Sequence, residues 1–83
     1  MQNLRANGLE TPLLQKRLME AWPDVAGPVI QRYTLNTYIR NQTLYVQLAS
    51  PALRADLSMR RMEYVAKLNA FVGSQIIIDI RFC

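Results

Sequence analysis

Between Tyr33 and Leu48 apolar side chains recur at every second position, interrupted only by Asn41-Gln42. Leu35, Thr37 and Ile39 alternate with Asn36, Tyr38 and Arg40. Past the interruption, Leu44, Val46 and Leu48 alternate with Thr43, Tyr45 and Gln47. A period of two belongs to a strand with one buried face, so the segment predicts a β-hairpin. Its apolar face has to be covered by other elements.

The flanking segments supply the cover. Thr11 reads as an N-cap with Pro12 at the first helical position, and Leu14, Leu18, Ala21, Trp22 and Val25 follow at helical spacing. This helix is expected to run to Trp22, to kink or break at Pro23, and to be followed by a turn from Asp24 to Arg32. Ser50 with Pro51 starts a second helix that meets no further Pro or Gly until Gly73, and so is expected to run unbroken to about Val72. Gln75 to Phe82 returns to a period of two, with Ile76, Ile78, Ile80 and Phe82 on the inner side and Ile77, Asp79 and Arg81 on the outer. The fold class is α+β in the order α-β-β-α-β: a three-stranded sheet with two helices on one face and the other face open. The third strand should run in the direction of the second, because a helical crossover separates them. Its pairing partner stays open.

The chain of 83 residues forms one domain, 1–83, with Gln2 to Gly8 reading as the end of an N-terminal helical segment. Half of its residues are apolar (51%) and only 19% are charged, which excludes a disordered tail. There is no His, and the one Cys is Cys83, so imidazole catalysis, a zinc centre and an intrachain disulfide are all excluded. No cofactor is called for. Cysteine usage suits the cytoplasm, and no apolar run approaches a membrane span.

Ten cations against six anions give a net charge of +4, and eight of the ten are Arg. Arginine's planar fork suits phosphates and base edges, although a solvated basic surface has the same composition. Arg54, Arg60, Arg61 and Lys67 lie on the second helix as candidate phosphate contacts, or as partners for Asp56 and Glu63 one turn away. Arg40 and Arg81 lie near the open sheet face, where Tyr38 and Tyr45 interleave with them as a stacking platform would. Cross-strand tyrosines also stabilise hairpins with no ligand at all. Ile77, apolar on that same face, joins Tyr38 and Tyr45 as a candidate contact with a partner protein or a second copy in a weak homo-oligomer. On the second helix, Leu53, Leu57, Tyr64, Leu68 and Phe71 form a stripe for the sheet. Ala55, Met59, Met62 and Ala66 form another, expected to pack on the Leu14/Leu18 face; left uncovered, it would be an adaptable partner groove. The six acids are scattered and no nucleophile has a base nearby, so no catalytic residue is assigned.

Read in order, Leu18-Met-Glu-Ala-Trp22-Pro-Asp-Val-Ala-Gly27, Tyr38-Ile-Arg40-Asn-Gln-Thr-Leu44-Tyr-Val46, Ser50-Pro-Ala-Leu-Arg54-Ala-Asp-Leu57-Ser-Met59-Arg-Arg61, Leu68-Asn69-Ala-Phe-Val-Gly73 and Ile78-Asp-Ile80-Arg-Phe82 resemble the bacterial DciA-type proteins. The resemblance covers Gly8 to Phe82, and its short form is similar to the Bacteroidetes branch. It implies a KH-like domain without a Gly-x-x-Gly loop and without enzymatic activity. Such a domain would bind DNA, single- or double-stranded, and contact the replicative DNA helicase to load or operate it in DNA replication. Members of that branch start with a further N-terminal segment, which this chain is expected to lack. Trp22 matches the family's tryptophan–glycine motif, for which packing is the first role and a helicase contact the second. A protein–protein adaptor and an RNA-binding or ribosome-associated module are the alternatives.

Overall fold

The computed structural model describes residues 10–83, so the helix end read at Gln2 to Gly8 lies outside the described residues. The elements are α1 (Glu10–Ala26), α2 (Pro28–Tyr33), β1 (Thr34–Arg40), β2 (Thr43–Leu48), α3 (Pro51–Met59), α4 (Arg61–Val72) and β3 (Asp79–Phe82). The fold is α+β: one three-stranded sheet and, among the described residues, four helices. The second expected helix is divided in two, and α2 forms where a turn from Asp24 to Arg32 is expected from the sequence, because Gly27 and Pro28 end one helix and open the next.

The hairpin forms with Asn41 and Gln42 as its two-residue turn, both at positive φ (52° and 59°), which is the geometry that matches the twist of the strands it joins. Leu44 pairs with Ile39, Tyr45 with Tyr38 and Val46 with Thr37. Leu35 departs from the expectation. A bulge lies between the Thr34–Leu48 and Asn36–Gln47 pairs, which turns Leu35 outward to 68% exposure and gives its inward place to Thr34. The reason is polar. Thr34 Oγ1 accepts the Trp22 Nε1–H at 3.1 Å and donates to the Ile30 carbonyl at 2.9 Å, a service leucine cannot perform.

α1 continues through Pro23 to Ala26 and already contains Thr11, so the expected cap and stop are both displaced. A helical proline sacrifices one backbone hydrogen bond. Here the buried Ala21 and Trp22, with half-buried Val25 and Ala26 beyond the proline, hold the last turn against the core. Gly27 then ends the helix at φ 93°, its N–H donating to the Pro23 carbonyl at 2.9 Å, and Pro28 opens α2.

Ser50 caps α3 as expected: its Oγ accepts the Leu53 N–H at 3.1 Å, with Pro51 following. The helix stops at Arg60 (φ −116°, ψ 21°), where neither Pro nor Gly stands. The break lets α3 lie on β2 and β3 while α4 packs along α1 and β3. It also leaves the methionine stripe uncovered: Met59 is 86% and Met62 55% exposed, and Ala55 and Ala66 are exposed with them. α1 meets α4 through the Tyr64, Val65 and Leu68 side instead, and Phe71 is exposed beside a groove of about 270 Å³ that Arg17 and Val72 also line. Gly73, left-handed at φ 74°, closes α4 where the sequence placed its end.

β3 begins only at Asp79. Before it, Asn69 of α4 reaches the chain with both ends of its amide. Its Oδ1 accepts the N–H groups of Ile76 (3.0 Å) and Ile77 (3.2 Å), and its Nδ2 donates to the Ile77 carbonyl at 2.9 Å. Backbone groups held by a side chain cannot join a ladder, so the alternation fails there. Ile76 and Ile77 are both buried and Ile78 is 53% exposed, the reverse of the expected faces for Ile77 and Ile78. From Asp79 on, β3 runs parallel to β2 and pairs with it, giving the order β1-β2-β3. The direction is the expected one, and the open question of its partner is decided for β2.

The core lies between the sheet and the helices. Leu44, Val46, Leu48 and Ile80 meet Leu18, Trp22, Leu57, Leu68 and Ile77, all 3% exposed or less, each such burial being worth roughly 1.5–3 kcal/mol. Trp22 sits edge-on to Tyr64 with ring centres 5.7 Å apart and 6.0 Å from Phe82.

Candidate nucleic-acid interface

Beyond the Asn36–Gln47 pair, the face of the sheet turned away from the helices carries two rows of side chains set by register. One row is Tyr38 on β1, Tyr45 on β2 and Arg81 on β3; the next is Arg40, Thr43 and Asp79. Tyr38 and Tyr45 stack with ring centres 4.9 Å apart and planes 6° from parallel. The Arg40 guanidinium carbon stands 5.6 Å from the Tyr45 ring centre, within cation–π range. The period of two predicts this grouping of Tyr38, Arg40, Tyr45 and Arg81, and the structure brings them together.

Asp79 belongs to the second row but turns off the face. Its Oδ1 accepts from Arg61 Nε and from the Ile80 N–H, each at 2.8 Å. Partial burial pushes this carboxyl up, yet the Ile80 N–H, the Arg61 hydrogen bond and the charges of Arg61 and Arg81 together hold it below its ordinary value. A depressed carboxyl stabilises the fold above the unfolded value of about 4, and the contribution is lost as pH falls through the lower folded value. Wild-type urea midpoints should therefore fall across that acid window. Asp79→Asn should be less stable at neutral pH and should show a smaller acid-dependent loss; an unchanged pH profile would mean that the Arg61 contact contributes nothing.

With Asp79 drawn aside, Arg40 and Arg81 have no carboxylate within 4.0 Å among the described residues. The helical candidates differ. Arg61 pairs with Asp79 rather than with Asp56 or Glu63, Arg60 pairs with Asp56 at 3.4 Å, and Lys67 lies 4.0 Å from Glu63. Arg60 and Lys67 also flank the Tyr64 ring at 5.6 and 5.4 Å. Arg54 Nη1 donates to the Leu48 carbonyl at 3.1 Å, tying α3 to the end of β2. Exposed pairs of this kind are worth about 0.2–1 kcal/mol, so these cations keep most of their long-range attraction for anions while losing their standing as a dedicated cluster.

Two residues expected at a partner surface lie elsewhere. Trp22 is 1% exposed with its indole N–H satisfied by Thr34, which is the packing role. Ile77 is fully buried, its backbone held by the Asn69 amide, and so is withdrawn from the open face. The surface apolar residues instead include Met59 and Met62 at the α3–α4 corner, a place the sequence could signal only as the less favoured reading of its methionine stripe.

A family model described as Dna[CI] antecedent, DciA, matches residues 1–82. The chain belongs to the DciA family. DciA is a replication-associated helicase-loader family tied to the replicative-helicase pathway, a family of loaders and adaptors rather than of catalysts. No curated protein matches the chain. The stretches that carry its likeness to DciA proteins are largely structural here: Trp22 and Leu68 are core, Gly27 and Gly73 end helices at positive φ, and Asn69 pins the approach to β3. No helix of the described residues is long and apolar enough to cross a membrane.

Proposed function

We propose that this chain is a KH-like, non-enzymatic loader or operator that contacts the replicative DNA helicase and holds it to DNA in the bacterial cytoplasm. The observation that carries the reading is the DciA match across residues 1–82. The order of elements supports the KH-like part, since α1 and α2 precede the hairpin and α3 and α4 lead from it to a strand parallel to β2. The absence of any Gly-x-x-Gly in the sequence argues that nucleic acid is not gripped in the usual KH manner.

For the helicase, the Met59–Met62 corner is the favoured contact. Methionines are flexible and polarisable enough to fit an irregular partner surface, and here they protrude beside Arg60 and Arg61. A pull-down with the full chain from bacterial lysate should recover the replicative helicase. Met59→Glu combined with Met62→Glu should abolish recovery while the fold holds, because exposed substitutions usually change stability by under about 0.5 kcal/mol each. Recovery of ribosomal proteins in place of the helicase would replace this reading with the RNA-binding one.

A further inference from the structure

We infer that the open sheet face is a stacking platform for single-stranded DNA, with an unpaired base laid on Tyr38 and the sugar–phosphate strand carried past it by Arg40 and Arg81. The choice of DNA over RNA rests on the loader reading; the platform itself rests on geometry. Tyr45, on the central strand, already has Tyr38 against its ring and the Arg40 guanidinium 5.6 Å from its centre. Tyr38 is on the edge strand β1 and is 38% exposed, and Tyr45 is its one ring partner among the described residues. Its face away from Tyr45 is therefore the free end of a stacked column, and a base placed there continues the column.

Charge selects the same ligand. The acid in the two rows, Asp79, is hydrogen-bonded to Arg61 and Ile80; Arg81 acts on it only through space, and neither Arg40 nor Arg81 has a carboxylate within 4.0 Å among the described residues. A flat aromatic face beside two arginines free of carboxylate contact suits a ligand that alternates π-faces with phosphates, which an unpaired strand does. A duplex hides its base faces in its own stack, so it offers no π-face to continue the Tyr38 column. The acidic peptide that could satisfy the arginines would leave the Tyr38 face unused.

Fluorescence anisotropy of the full chain reads this directly, using a labelled oligothymidylate of roughly fifteen nucleotides, an abasic strand of equal length and a duplex. Wild type should bind the oligothymidylate about five- to 150-fold more tightly than the abasic strand, the range expected for one stacked base. Tyr38→Ser should erase that ratio and leave abasic binding unchanged, while Tyr38→Phe keeps it. Arg40→Gln and Arg81→Gln should weaken both strands and each reduce the slope of log K against log salt by about 0.7. The platform is overturned if Tyr38→Ser keeps the wild-type ratio, if duplex binds as tightly as the oligothymidylate, or if oligouridylate binds more tightly. A chain that recovers the helicase but binds no strand also overturns it and leaves the loader reading intact; Tyr38-dependent binding with no helicase recovered does the opposite.

Discussion

Leu57→Ala should cost about 2–5 kcal/mol and shift the urea midpoint far down. Leu57 is fully buried in α3, the helix that lies on β2 and β3, and it shares its core with Leu44, Val46 and Ile80. Truncation removes its transfer free energy and leaves a cavity that the sheet, held by its own ladder, cannot collapse to fill. A chain of 83 residues has roughly 4–12 kcal/mol of stability in all, so the loss is a large share of the whole. Met59→Ala, two residues further along the same helix at 86% exposure, should change stability by less than about 0.5 kcal/mol. Urea denaturation of both variants separates them. Similar costs at the two positions would show that α3 does not present Leu57 to the sheet.

The second large effect is expected at Asn69, although its side chain is polar and only half-buried. Asn69→Ala removes three hydrogen bonds at once and leaves the Ile76 and Ile77 N–H groups without their acceptor. Orphaned groups in a part-buried place cost about 1–3 kcal/mol each, and with partial access of water the total should be roughly 2–4 kcal/mol. The effect should also be local. Amide exchange at Ile76 and Ile77 should accelerate far more than exchange at Leu44 or Val46, because the segment before β3 opens before the hairpin does. Uniform acceleration would mean that Asn69 stabilises only the whole and does not pin that segment.

The buried core and the open sheet face draw on different residues of the same strands. Within the DciA-like stretches, Trp22, Leu44, Val46, Leu57, Leu68 and Ile80 fill the core and Gly27 and Gly73 end helices, whereas Tyr38, Arg40, Tyr45 and Arg81 lie outside the core. A sheet covered on one side provides this division, because a period of two sends alternate residues of each strand to opposite faces.

The sequence by itself determined what depends on near neighbours. The hairpin and its turn, the Ser50–Pro51 start of α3, the Gly73 end of α4 and the grouping of Tyr38, Tyr45 and Arg40 on one face all follow from pleat, capping and backbone freedom within a few residues. The tertiary structure decided what depends on residues far apart. The bulge at Leu35 exists because Trp22 and Ile30 find a hydroxyl at Thr34, and α1 outlasts Pro23 because Val25 and Ala26 have a core to meet. The break at Arg60 has no local breaker and follows the division of α3 and α4 between different neighbours, which exposes the methionines. Ile77 is buried through the amide of Asn69, eight residues back. The positive charge of the open face likewise depends on Asp79 turning to Arg61, eighteen residues away in the chain, a pairing that neither period nor composition records because it forms only once α4 and β3 are packed side by side.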